Sequence, residues 1–365
     1  MSSEHYHITV LCIRASEEYR KRFPGVAFVE TGGHLSHERF FWLSWPVMQR
    51  KINRSLDCLK PDILLPSVLP ANWWAFSYKR TRKNVFCLWY CHEPSAFIHS
   101  PEWIEAIEDR LMHQAAKRLN PWLKDLDRWL VRGNVDYVIC NSRFTQGQFQ
   151  RTYGIESQGH IYPGVDLDRF TPAGDKSEDL FMVSRLTRFK NIRVALEALA
   201  LLKRKDRRLL IGGEGEAKED LRRLTNSLGL DDRVIFLGSI PHDRLPSLYA
   251  RAKLLIFTTE KEPFGMVPVE ALACGTPVIA SNSGGVQETV QHGVNGLLLD
   301  PMTPRSLSEG IDHLLENTET YDFLRQNTRK SVERFCWDHH VQQFREILDQ
   351  IIQERRTRRG AANFS

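Results

Sequence analysis

Short runs of β-branched and apolar residues recur along the chain, and each is followed by a stretch with helical spacing. "HITVLCI", "VAFVE", "DILLP", "VFCLWYC", "DYVICNS" and "GHIYPG" occupy the first half. "LFMVSRL", "RLLIGGE", "RVIFLG", "KLLIFTT", "TPVIAS" and "GLLLD" occupy the second. Strands of this length alternating with helices predict parallel sheets built from βαβ units, an α/β fold in both halves. Between them "FTPAGDKSED" carries Pro, Gly and mixed charge without an apolar period, which places a domain boundary near residues 171–178. A length of 365 residues agrees with two domains.

After the last strand, "LSEGIDHLLENTETYDFLRQNTRKSVERF" reads as two helices. A further amphipathic helix follows in "WDHHVQQFREILDQIIQERR", where Val341, Phe344, Ile347, Leu348, Ile351 and Ile352 share one face. No apolar stretch approaches the roughly 20 residues a membrane-spanning helix needs. Composition is that of an ordinary globular protein, 42% apolar and 26% charged. Seven cysteines without regular spacing, and an N-terminus without a long apolar core after a basic start, predict reduced thiols and a cytoplasmic protein.

Lys and Arg number 50 against 45 Asp and Glu, a net charge of +5 that does not call for a nucleic-acid partner. Two basic clusters stand out, "KRTRKN" (79–84) directly after the aromatic "ANWWAFSY", and the tail "RRTRRG" (355–360). Trp73, Trp74 and Phe76 are read either as core beneath a solvated face or as part of a surface for an anionic leaflet.

The densest chemistry lies in "EKEPFGMVPVEALACGTPVIA", residues 260–280. Pro263 and Gly265 keep the backbone out of a helix until about Met266, and Gly275 and Pro277 stop it before the next strand. Glu262 and Glu270 therefore flank a helix N-terminus, whose N–H groups attract phosphate. Carboxylates repel phosphate, so the pair is read either as binding hydroxyls of a sugar or ribose, or as ordinary helix capping and surface charge. Upstream, Arg185 and Lys190 in "MVSRLTRFKNI" stand at a strand end, read either as cations able to neutralise a diphosphate or as charges that keep a loop soluble. "LLIGGEGE" and "FLGSIP" add glycine turns at strand ends, each weak by itself.

Together these motifs, with "VICNSRFTQGQF", "YPGVDLDRF", "EPFGMVPVEALACGTPVIASNSGGVQETV" and "GVNGLLLDP", resemble the retaining GT-B glycosyltransferases of family four in order and spacing. The resemblance implies two Rossmann-like domains facing a cleft, residues 1–172 for the acceptor and 173–336 for the nucleotide sugar. A closing helix over 337–365 would cross back to the first domain. Arg185 and Lys190 would bind the donor diphosphate and stabilise the leaving group. Glu270 would accept from the ribose hydroxyls, and Glu262 would contact the transferred sugar. The backbone of Phe264, Gly265 and Met266, with Gly213, Ser239 and Ile240, would complete the donor site. His92, in "WYCHEPSAF", is similar to the histidine that reaches the donor sugar from the first domain.

"FGMVPVE", with Pro268, resembles mannosyltransferases of the family, which favours GDP-mannose over UDP-sugars. A saccharide or lipid-linked glycan is the implied acceptor, and an anionic membrane surface a further partner. No cofactor or metal is expected: Asp166–x–Asp168 and Asp125–x–Asp127 have an Asp-x-Asp form, but sit in a linker motif and a helix. "CLWYCH" has three residues between its cysteines where haem attachment has two, and is read as a buried strand. The chain departs from the family after its first strand, where a glycine turn is missing; Gly32-Gly33 comes later. "HERFFWLSWPVMQRKINRSL" either packs or lines the acceptor site. A nucleotide-sugar 2-epimerase and a non-catalytic sugar-nucleotide-binding protein remain alternatives.

Overall fold

The computed structural model describes residues 6–33, 44–105, 107, 110–172 and 174–362. Residues 37–43 of the "HERFFWLSWPVMQRKINRSL" segment and the last three residues of the closing segment lie outside the described residues. The chain forms two compact units: Met1–Pro101, Asp109–Ile139 and Phe149–Gly159 make one, and Glu102–Glu108, Cys140–Gln148 and His160–Ser365 the other.

In the first unit β1 (Thr9–Cys12) pairs in parallel with β2 (Ala27–Glu30). A separate four-stranded sheet runs in the order β3 (Ile63–Leu64), β4 (Phe86–Cys91), β5 (Tyr137–Cys140) and β6 (Gly159–His160). All six follow apolar runs seen in the sequence. β4 is buried on both faces, with Cys87, Leu88 and Cys91 at 0% exposure, as expected of a central strand without exposed polar positions. Gly32 and Gly33, after β2, both adopt positive φ, and a side chain on Gly33 would overlap Met48. They are a turn packed on the helix Trp45–Leu59, whose Met48, Ile52 and Leu56 are buried.

The aromatics of "ANWWAFSY" lie in the helix Ala71–Thr81 and are core: Trp73, Trp74 and Phe76 are buried, and Trp45 packs edge-on to Trp73 and tilted against Trp74. They are therefore not available to a membrane. The adjoining basic cluster is also partly consumed, because Lys79 is buried against Asp136 at 2.7 Å and Arg82 pairs with Asp57 at 2.7 Å.

Asp127 explains much of this unit's order. It lies in the helix Arg110–Asn134 at 0% exposure and accepts from Trp73 Nε1 (2.5 Å), Ser95 Oγ (3.1 Å) and Tyr153 OH (2.7 Å), with His99 Nε2 at 2.8 Å. Burial and the Asp127 charge hold the Tyr153 hydroxyl far above its ordinary pKa, so it stays a donor. Asp125, two residues earlier, points outward and pairs with Arg128. The Asp-x-Asp form thus splits into one inward acceptor and one surface charge.

The second unit is built on a six-stranded sheet of order β12-β11-β10-β7-β8-β9, every pair parallel. The strands are β7 (Leu180–Val183), β8 (Leu209–Gly212), β9 (Val234–Gly238), β10 (Leu254–Phe257), β11 (Val278–Ser281) and β12 (Gly296–Leu299). Alternate residues feed opposite cores, as the two-residue period of a strand requires. Leu254, Ile256 and Ile279 join Leu196, Leu199 and Leu307 on one face, while Leu255, Phe257, Val278 and Ala280 join Tyr249, Leu272 and Phe335 on the other. With both faces of the central strands dry, polar side chains concentrate at the strand ends.

The final helix, Trp337–Ala362, buries Phe344, Leu348 and Ile351 of the predicted face. Its start is held within the second unit by His340 Nδ1 at 2.8 Å from the Tyr162 carbonyl oxygen. The helix also continues through the basic tail that the sequence marks at 355–360.

Removing the Asp127 carboxyl would leave Trp73, Ser95, His99 and Tyr153 without their shared buried partner. Asp127→Ala is expected to destabilise the protein by on the order of 3–5 kcal/mol. Asp125→Ala, at the surface, should cost under about 1 kcal/mol. Denaturant unfolding of the two variants beside the parent measures the difference.

Candidate functional site

The order of the second sheet contains a reversal. From β7 the chain builds outward through β8 to β9, then returns to the other side of β7 with β10. The connections leaving β7 and β10 thus diverge to opposite sides, and the crevice outside their carboxyl ends is where open parallel sheets hold ligands. Arg185 and Lys190 follow β7; Glu262 follows β10.

These two segments meet directly. Lys190 Nζ lies 2.8 Å from Glu262 Oε2, both side chains largely shielded at 15% and 24% exposure. Thr258, just after β10, donates its hydroxyl to the Lys190 carbonyl at 2.9 Å, and the Lys190 ammonium sits 5.8 Å from the Phe189 ring centroid. Lys190 ends a single turn, Arg188–Lys190, closed by Asn191 in the left-handed region. Arg185 is exposed one residue beyond Ser184.

The neighbouring strand ends complete the rim. Gly213 follows β8 with φ of 125°, and its N–H donates to the Gly238 carbonyl at 2.7 Å. A side chain there would overlap the Ser184 carbonyl, and one on Gly215 would overlap the Leu186 backbone. "GGEGE" is glycine-rich because the turn after β8 lies against the backbone after β7. Ser239 and Ile240 follow β9, Ser239 exposed and Ile240 packed over Gly212.

The helix Met266–Ala273 begins at Gly265, whose φ of 99° turns the chain into it, and ends before Gly275 at φ 76°. Phe264 is buried, so it and Gly265 fix the approach to the helix N-terminus. Arg329 anchors the far end, donating to the carbonyls of Ala273 (2.9 Å), Phe170 (2.7 Å) and Leu167 (2.8 Å), a cation at a helix C-terminus. Glu270 is half-buried in the second turn and accepts from Tyr249 OH at 2.8 Å. Burial pushes its carboxyl up to about 7, against the pull of the Tyr249 bond and Arg169.

The structure thus brings Arg185, Lys190, Gly213, Ser239, Ile240, Glu262, Phe264, Gly265, Met266 and Glu270 to the strand ends and helix N-terminus of one sheet. His92 belongs to the first unit, on the loop after β4, its ring 4.8 Å from that of Tyr90. Among the described residues no group of three or more His, Cys, Asp or Glu is arranged to hold a metal ion. Asp166 is exposed and accepts from the Arg169 N–H at 3.1 Å, a turn contact.

Sequence reasoning missed the support of the Glu262 loop. Gly284 and Gly285 follow β11, and side chains there would overlap the backbones of Glu262 and Pro263. Gly285 N–H donates to the Glu262 carbonyl at 2.7 Å, and Ser142 Oγ donates to the Pro263 carbonyl at 2.5 Å. Glu288 accepts from the N–H groups of Arg143 (3.1 Å) and Phe144 (2.9 Å) and from Tyr162 OH (2.8 Å). The adjacent glycines in "SNSGGVQETV" were the available signal.

Gly285→Ala must push the Pro263–Phe264 backbone away, so it should lower stability by roughly 1–3 kcal/mol in thermal melts, more than alanine at Gly25, which has open space and no left-handed backbone. For Glu270, the folded protein keeps a proton from about pH 4.3 to about 7, where the unfolded chain has lost it. Stability therefore falls as pH rises through that window. Glu270→Gln should remove this part of the slope in melting temperature against pH.

Comparison with known proteins bears on the family and the fold. The model for Glycosyltransferase Family 4 matches residues 1–169, and that for glycosyl transferases group 1 matches residues 166–331. A D-inositol 3-phosphate glycosyltransferase of Rhodococcus jostii is 30% identical over 68% of this chain and 65% of its own length. An uncharacterized glycosyltransferase of Methanocaldococcus jannaschii is 35% identical over 48% of this chain and 45% of its own. The matched stretches thus span about half to two thirds of such curated relatives. In fold, sucrose-phosphate synthase of Thermosynechococcus elongatus superposes with a TM-score of 0.77 at 22% identity, covering 96% of this chain and 90% of that one. The Anabaena protein HepE, crystallised with UDP and glucose, gives 0.75 at 22% identity over 93% and 91%. The fold is that of the GT-B glycosyltransferases, and the chain belongs to the glycosyl transferases group 1, family four.

Proposed function

We propose that the chain is a retaining glycosyltransferase that moves a hexose from a nucleotide diphosphate sugar to a saccharide or lipid-linked acceptor, without a metal. The observation that carries this reading is the Lys190–Glu262 pair at the reversal of the second sheet, which sets a cation and a hydroxyl-binding carboxylate side by side. An ammonium has three donors, so Lys190 can bond Glu262 and a phosphate oxygen together. Arg185 supplies a planar second cation. The N–H groups at the start of the helix Met266–Ala273 add a third positive element.

In the reaction, the bond between the anomeric carbon and the diphosphate oxygen breaks and its electron pair stays on the diphosphate. Fixed cations there stabilise that charge as it develops. The acceptor oxygen forms the new bond on the same face of the sugar, and its proton passes to the leaving phosphate. Glu262 binds the sugar hydroxyls and Glu270 those of the ribose, while His92 is the first unit's contribution to the transferred sugar.

The donor reading favours GDP-mannose, on the "FGMVPVE" segment with Pro268; the UDP found in the Anabaena protein makes UDP-sugars the necessary comparison. The inositol phosphate relatives add a phosphorylated polyol to the acceptors worth testing. The cytoplasmic face of a membrane is the proposed place of action.

The test follows nucleotide release from GDP- and UDP-sugars, with and without lipid-linked, saccharide and inositol phosphate acceptors. Acceptor-dependent release that persists in EDTA is expected. Sugar epimer released without acceptor would instead identify an epimerase, and tight donor binding without turnover a sensor. Lys190→Ala and Glu262→Ala should each lower kcat/KM by roughly 10²–10³-fold, as for loss of one preorganised transition-state contact; retention of full activity would overturn the site.

A further inference from the structure

Outside the donor site, the helix Arg110–Asn134 of the first unit turns an unusual face to solvent. Leu119, Trp122 and Trp129 are 55%, 63% and 51% exposed, and with Leu126 and Gly133 they recur at steps of three and four, forming one stripe. An apolar stripe at this spacing is ordinarily buried. Here it is flanked by cations. The helix carries six Lys or Arg and two Asp, one of which, Asp127, is buried.

Next to the stripe lies a cavity of about 520 Å³ whose charged lining is Arg80, Lys83, Arg128 and Arg132 against Asp125, with Trp129 as one wall. Arg80 stacks over Trp129, its guanidinium carbon 5.1 Å from the ring centroid. Arg128 and Arg132 are held in place by their Nε donors, which bond the carbonyls of Thr152 (3.0 Å) and Tyr153 (2.5 Å). Lys83 Nζ lies 3.4 Å from Asn134 Oδ1. Four cations against one carboxylate leave this wall about three charges positive, on a fixed frame.

We infer that this face docks the protein on an anionic lipid surface, the cavity taking a headgroup phosphate while Leu119, Trp122 and Trp129 enter the interfacial layer. Tryptophan prefers that layer and arginine the phosphates within it. A second copy of the chain is the less favoured occupant, because a symmetric contact through this stripe would set the Arg80, Lys83, Arg128 and Arg132 cluster against itself. No helix among the described residues is long and apolar enough to cross a membrane, so this would be a surface attachment. The inference deepens the membrane-side reading given above. It uses the exposed face of the helix Arg110–Asn134 in place of the buried Trp73, Trp74 and Phe76, and its test needs neither donor nor turnover.

The full chain is floated with vesicles of phosphatidylcholine alone and of phosphatidylcholine with phosphatidylglycerol, at low and high salt. Retention on the anionic vesicles, weakened by salt, is expected. The double variants Arg80→Glu/Lys83→Glu and Trp122→Ala/Trp129→Ala alter exposed side chains and should each lower the partition coefficient by about tenfold or more. Binding of free GDP and UDP should be unchanged in both, which separates failure of this inference from failure of the donor-site reading. No retention of the parent on anionic vesicles, or equal retention of parent and variants, overturns the inference. A parent dimer in sedimentation that Trp122→Ala/Trp129→Ala dissociates, with no vesicle binding, would assign the face to a second copy.

Discussion

A parallel sheet covered by apolar residues on both faces has only its strand ends left for charge, and this constraint organises the second unit. Leu254 to Phe257 and Val278 to Ala280 are almost wholly enclosed, so the chain turns polar only on leaving β7, β8, β9, β10 and β11. The reversal between β7 and β10 then decides which of those ends face each other. Lys190 and Glu262 lie 72 residues apart in the chain, yet they form an ion pair because their strands are neighbours.

The same constraint explains what could be read from the chain beforehand. All twelve strands were legible as apolar runs, and the helix Met266–Ala273 was legible because Gly265 and Gly275 mark its ends with backbone conformations other residues adopt poorly. The motif residues of the second unit were legible for the same reason: they sit at fixed offsets from strands. What stayed hidden depends on residues distant in sequence. The roles of Ser142, Gly285 and Glu288 arise from contacts that span more than 20 and up to 145 residues, and no local spacing encodes them.

Asp127 illustrates a second kind of concealment. An Asp-x-Asp pair in a helix has one side chain rotated about 200° from the other, so the two carboxyls serve unlike surroundings. One gathers four buried donors or aromatic partners, and the other stays in water. The exposed tryptophans of that helix were hidden in the opposite way, since composition cannot separate Trp122 and Trp129 from the buried Trp73 and Trp74. Only the helix they occupy, and its neighbours, tell them apart.

Ser142, Arg143 and Phe144 belong to the unit that carries Glu262, although they precede its first sheet strand by more than thirty positions. A fragment cut at the Pro-Gly linker would lose the hydroxyl that steadies the Pro263 carbonyl and the two amides that donate to Glu288. The second unit, cut at that linker, would therefore lack part of its own support. Its Glu262 loop leans on residues that a boundary drawn by composition assigns to the other half, which ties the tuning of that loop to mutations far upstream.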